Sequence, residues 1–276
     1  MRNRYGLLRD IPEPIKRQVR QRCGFGCIIC GKAFIEYHHF DPPFYQAREH
    51  RAEGITILCA EDARAAHHGR QSANKIKSHD ASPKCRSLGH TFGPLDGGPN
   101  PMKFMMGSAV FHTPIVLMHE SAELISFKPP EAEGAPWRLT ATILDRQGKE
   151  LLKIVDNEWQ IGIDRYDITA KGKTVEVRQK RGYLVLAMDL VEEELVHIRR
   201  VQMQCKEVFL DCDDASFSVK SDNGGAVRFT RSPGSNNEIS GDIGIHVLPS
   251  EHVVKIGASL QPGGSAAIAL RLPDSR

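Results

Sequence analysis

At 276 residues, 40% hydrophobic and 26% charged, the chain is long enough for two domains and apolar enough for proper cores, which excludes a largely disordered protein. Its longest apolar run, Gly182 to Met188, stops at Asp189, far short of the roughly 20 residues a membrane helix needs. The net charge of +3 is uneven: residues 1–100 hold 16 Lys and Arg against 10 Asp and Glu, or +6, and the rest hold 21 against 24, or −3, so a polyanionic partner is expected at the amino-terminal part.

Met1 to Asp10 is Arg-rich and lacks the apolar stretch of a leader sequence. Pro12 and Pro14 then open a short amphipathic helix. Ile15, Val19 and Cys23 recur on one face while Lys16, Arg17, Arg20 and Arg22 take the others. Gly24 and Gly26 break it and lead into Cys27-Ile28-Ile29-Cys30-Gly31, the form of a zinc knuckle, in which two thiolates share a tight turn. Phe34, Ile35 and Tyr37 predict a brief strand ending at His38 and His39. Adjacent strand residues face opposite ways, so a histidine pair acting together must sit at a bend. A charged, Pro-containing loop from Asp41 to Glu53 follows, in which His50 reads as an exposed histidine, with the positioning of water as its other role. Gly54 to Cys59 predicts the returning strand, and Ala60 to His68 a helix. The layout is ββα clamped by metal.

Between Cys27 and His68 stand Cys27, Cys30, Cys59 and the pairs His38-His39 and His67-His68. Sulfur and imidazole donors this dense point to soft-ligand, tetrahedral coordination. Seven cysteines, an odd number, suit metal duty in a reducing compartment better than a disulfide framework, so a soluble, cytoplasmic protein with no membrane partner is expected.

From Ser82 to Pro101 the sequence turns to Ser, Pro and Gly, which predicts a linker. Beyond it, short alternating segments recur: Trp137 to Leu144, Thr174 to Arg178, Tyr183 to Met188, Val196 to Gln202, Phe217 to Lys220, Val227 to Thr230 and Ile243 to Val247. Arg146-Gln147-Gly148, Lys171-Gly172 and Asp222-Asn223-Gly224-Gly225 supply turn signals between many of them. These predict an all-β domain, a sandwich or, as the alternative, a solenoid-like stack.

The run GFGCIICGKAFIEYHHFDP followed by GITILC resembles the HNH endonucleases whose ββα-metal (His-Me finger) core is braced by a zinc knuckle, over residues 14–69. The resemblance implies an α+β chain: a small zinc-braced ββα-metal domain at 1–80, a linker at 81–101 and the all-β domain at 102–276. It implies structural zinc on Cys27, Cys30 and Cys59, with the fourth position falling at Asp62 and Cys23 and His68 as rivals. His39 matches the general base and His38 a ligand to a catalytic divalent ion such as Mg or Mn; His67 matches a second helix ligand used by some members. The motif's asparagine would fall at Gly54 and its last histidine at Ala63. Substrate phosphates would meet Lys16, Arg17, Arg20, Arg22, Arg64 and Arg70, with weak sequence preference.

The expected function is thus metal-dependent hydrolysis of DNA phosphodiester bonds, in bacterial defence or mobile-element biology. A catalytically degenerate DNA-binding protein derived from such a nuclease is the alternative. A third reading is an assembly protein built on the β domain, homo-oligomeric through it, with the zinc knuckle as a folding staple.

Overall fold

The computed structural model describes residues 1–98, 100, 103–191, 195–222, 225–231, 237–251, 253–259 and 266–271. Pro99 and Pro101 of the expected linker, and Asn223 and Gly224 of one expected turn, lie outside the described residues. No described helix is long and apolar enough to cross a membrane.

The expected fold class, a small ββα-metal domain followed by a separate all-β domain, is overturned. The chain is mostly β, 50% strand and 15% helix, in large multi-stranded sheets. Its first compact unit is not a contiguous amino-terminal piece: Met1–Gly93 is joined by Gln160–Gly172 and Val177–Tyr183. Partners this far apart in sequence leave no mark on local periodicity, which is why the pattern suggested a self-contained module. The second unit comprises Pro94–Trp159, Lys173–Glu176 and Leu184–Arg276.

In the first unit, helix α1 spans Glu13–Cys23 with proline in its first turn, and Gly24 ends it in the left-handed conformation at φ 76°. Strand β1 (Glu36–His39) pairs antiparallel with β2 (Ile55–Leu58), setting His38 opposite Thr56 and His39 opposite Ile55. Helix α2 (Ala60–His67) follows directly. Two helices have no counterpart in the sequence reading, α3 (Ala73–Ala81) and α4 (Lys84–Leu88); the latter, with strand His90–Pro94, falls in the stretch that reads as linker. Cys85 is fully buried there, so one apolar anchor orders a segment whose composition is that of a loop. The core of the unit joins Val19 and Cys23 of α1 to Ile55, Ile57 and Leu58 of β2, Ile28 of the knuckle and Ile76 of α3. Each such side chain contributes about 1.5–3 kcal/mol on burial.

In the second unit one sheet runs, in spatial order, Ala266–Arg271, Val253–Ala258, Ile243–Leu248, Ile115–His119, Ala122–Lys128, Arg138–Leu144 and Glu150–Val155. Neighbours are antiparallel except Ile243–Leu248 and Ile115–His119, which pair in parallel. A second sheet orders Tyr183–Val191, Leu195–Cys205, Val208–Asp213, Ser216–Ser221 and Ala226–Thr230 as an antiparallel meander. Lys103–Met106 adds to Leu195–Cys205 in parallel. Inward residues alternate as expected: in Arg138–Leu144, Leu139, Ala141 and Ile143 are fully buried. Phe111 meets Phe217 edge to face at 5.8 Å between centroids.

Candidate metal centre and histidine cleft

The knuckle forms because the chain turns back between two backbone bonds, Cys27 N donating to Lys32 O at 2.9 Å and Gly31 N to Cys27 O at 2.8 Å. Gly31 takes φ 93°, a conformation that side chains resist. Ile28 N donates to Ile57 O at 3.1 Å, which pins the turn beside β2. Cys59 follows β2 immediately and caps α2, its Sγ accepting from the amide of Asp62 at 3.5 Å. The β2–α2 junction thus delivers a thiol and a carboxylate to the two thiols of the knuckle.

Cys27, Cys30, Cys59 and Asp62 place their donor atoms within 4.8 Å of one another, and this group could hold a metal ion. Asp62 Oδ2 lies 3.1 Å from Cys27 Sγ and 3.2 Å from Cys59 Sγ, and Cys30 Sγ lies 3.7 Å from Cys59 Sγ. With metal–sulfur bonds of about 2.3 Å, the sulfur–sulfur edge of a tetrahedron is about 3.8 Å. The observed edge matches that and is far too long for a disulfide of about 2.05 Å. Gln71 Nε2 donates to Asp62 Oδ1 at 2.9 Å and leaves Oδ2 facing the sulfurs, the orienting role of an outer ligand shell. The bond with Cys30, together with burial, raises the Cys27 thiol, and the same bond lowers Cys30. Of the rivals for the fourth position, Cys23 turns its sulfur to Thr56 and Asp80, at 3.8 and 3.9 Å, and His68 is exposed at the end of α2.

The second constellation lies in a cleft of about 550 Å³ lined by His38, His39 and His67, with Ala63, Tyr45 and Lys16 among its walls. The expected bend at the histidine pair is absent, since β1 continues through both. Alternation instead gives each its own partner. His38 meets His67 edge to face at 5.3 Å between ring centroids, and His39 bonds through Nε2 to His50 Nδ1 at 3.0 Å. His50 Nε2 in turn lies 2.9 Å from the carbonyl oxygen of Leu8. A carbonyl only accepts, so the neutral His50 ring carries its proton on Nε2 and accepts on Nδ1. His39 therefore carries its proton on Nε2, and Nδ1 is its one lone pair. Burial, with His50, His38 and Arg9 nearby, lowers His39 to about 4, so the ring is neutral at physiological pH. Burial and the neighbouring His67 also lower His38.

Gly54 is explained by packing. A Cβ there would overlap the carbonyl oxygen of Asp41 and lie 3.1 Å from its carbonyl carbon. The Gly54 carbonyl accepts from Phe40 N at 3.0 Å and Asp41 N at 3.3 Å, so backbone ties down the loop where the resemblance expects an asparagine side chain. Ala63 is buried and contributes no donor atom to the cleft.

The expected phosphate contacts divide. Arg20 is a correction: it is 4% exposed, and its guanidinium bonds Asp167 at 2.8 and 2.7 Å, Glu13 at 2.6 Å and the Tyr37 hydroxyl at 2.6 Å. Arg17 bonds the same Asp167 at 3.1 Å. Arg22 pairs with Asp80 and donates to the carbonyls of Ala52 and Ile55 at 3.1 and 2.6 Å, fastening α1 to the entry of β2. Lys16 pairs with Asp10 at 2.8 Å at the cleft wall. Arg64 and Arg70 are exposed. Asp167, about 150 positions along the chain from Arg17, carries no sequence signal for this role. Neither does Gln71, and His50 read more readily as an exposed loop residue.

Compared with family models, with curated proteins and with solved structures, the chain matches none.

Proposed function

We propose that the cleft hydrolyses phosphodiester bonds of DNA, with the chemistry of the HNH endonucleases that the sequence resembles, and that the Cys27, Cys30, Cys59 and Asp62 group holds structural zinc. One observation carries the reading: a neutral imidazole, His39, whose single lone pair is fixed at Nδ1 by His50, stands in a cleft shared with His38 and His67. Such a ring takes the proton of an attacking water; the water oxygen bonds to phosphorus as the bond to the leaving oxygen breaks. His38 and His67 would hold a divalent ion, Mg or Mn, which offsets charge on the leaving oxygen. Three sulfurs and a carboxylate within 4.8 Å of one another are a donor set that zinc accepts, and it braces the start of α2, the helix that ends at His67. The seven free thiols support a reducing compartment such as the cytoplasm.

The test is nicking of supercoiled plasmid with Mn or Mg by the native chain and by His39→Ala. Loss of cleavage in the variant is expected. Equal cleavage by both removes His39 as the base, and salt-sensitive binding without cleavage in either favours the nuclease-derived binding protein.

A further inference from the structure

Residues 1–9 form a tight turn fastened to the loop that carries His50. Arg9 N donates to Met1 O at 3.1 Å and Asn3 N to Leu7 O at 3.0 Å. The Asn3 side chain accepts from the amides of Tyr5 and Leu7 and donates to the carbonyls of Phe44 and Ala47 at 2.7 and 2.6 Å. Turn and loop are therefore held together beside the cleft, which Arg9, Phe44 and Tyr45 help to line.

Their outer surface interleaves aromatic rings with arginines. The guanidinium carbons of Arg4 and Arg48 each lie 4.8 Å from the centroid of the Tyr5 ring, and that of Arg9 lies 5.8 Å from the Phe44 ring. Tyr5 is 45% exposed and Tyr45 59%, which places them among the few large exposed hydrophobic residues of the described chain. Residues 1–9 contain Arg2, Arg4 and Arg9 with no acidic residue, and residues 43–51 contain Arg48 and Arg51 against Glu49.

We propose that this surface is a track for an unpaired nucleic-acid strand that leads into the cleft, with bases stacking on Tyr5, Tyr45 and the guanidinium planes and phosphates meeting the arginines. It rests on the nuclease reading of the cleft for its purpose and names the form of the substrate. A duplex stacks its bases on one another and hides their faces, so it would use the arginines and leave the rings idle. An acidic peptide would do the same.

The experiment is fluorescence anisotropy of the full chain with a labelled oligo-dT of about 12 nucleotides, within the range of single-strand site sizes, set against a duplex of equal length and polyglutamate as a competitor. No divalent ion is added, so binding is read without cutting. The single strand is expected to bind tighter than the duplex. Tyr45→Ala should weaken it by about 5- to 100-fold while leaving the slope of log affinity against log salt unchanged. Arg48→Ala should reduce that slope by about 0.7. Tyr45→Trp should bind as the native chain does, and since Tyr45 is exposed, an unchanged Tm certifies the fold of each variant. Equal or tighter duplex binding, an indifferent Tyr45→Ala, or equally effective competition by polyglutamate overturns the track. Strand binding that passes these tests in a chain that, with Mn or Mg, cuts neither plasmid nor the same single strand would instead remove the nuclease reading and leave the track standing.

Discussion

His39 and His50 form a directed pair when both rings are neutral: the Leu8 carbonyl accepts from Nε2 of His50, which leaves its Nδ1 to accept from Nε2 of His39. The arrangement orients the His39 ring, which lines the cleft, through a neighbour that is not among the lining residues.

This makes His50 a positioning residue with a spectroscopic signature. Long-range nitrogen–proton NMR should find His39 protonated at Nε2 in the native chain and as a tautomer mixture in His50→Ala. Nicking should fall about 10- to 100-fold in His50→Ala, a part of what a general base supplies. His50→Gln keeps an acceptor for Nε2 and should recover most of the rate. An unchanged tautomer in His50→Ala would end this account.

Elemental analysis of protein purified without chelator should find about one zinc per chain, four donors making one tetrahedral site. Cys59→Ala removes both a ligand and the cap of α2, so it should abolish zinc retention and lower Tm by more than about 10 °C, since structural zinc binding is folding free energy. Asp62→Cys should retain the metal. Full zinc occupancy in Cys59→Ala would refute the site.

Gly54→Asn restores the residue that the HNH pattern expects, yet it should harm the protein. Its Cβ would overlap the Asp41 carbonyl and push the loop off the Gly54 carbonyl. Urea denaturation should register a loss of about 1–3 kcal/mol, the range of an overpacked site. A gain in nicking with undiminished stability would show that the loop accommodates the side chain and that the packing argument is mistaken.

Asp167→Ala should destabilise the chain by about 3–5 kcal/mol, because, among the described residues, it leaves the buried Arg20 guanidinium with Glu13 and the Tyr37 hydroxyl as partners. Replacing Arg20 and Asp167 together by apolar residues of similar volume should recover much of that loss in a denaturant series. If the double variant is as unstable as the single one, the cost comes from elsewhere than the unpaired charge.

The sequence by itself determined the local pieces around the site. Proline at the start of α1 and glycine after Cys23 bound that helix; the Cys27–Gly31 turn, the strand into His39, the return through Ile57 and helix α2 all follow from residues within reach of one another. The thiols of Cys27, Cys30 and Cys59 announce their shared role through chemistry. Tertiary structure alone decided the rest. Arg20 reads as a surface cation until Asp167, distant in sequence, closes over it, and His50 reads as a loop residue until the amino-terminal turn supplies the Leu8 carbonyl. It also recruited Gln160–Gly172 and Val177–Tyr183 into the first unit and arranged the strands of the second in sheets with parallel as well as antiparallel neighbours. Periodicity records which face of an element is buried, and it does not record which distant element does the burying; charge and hydrogen-bond partners are chosen at that second step.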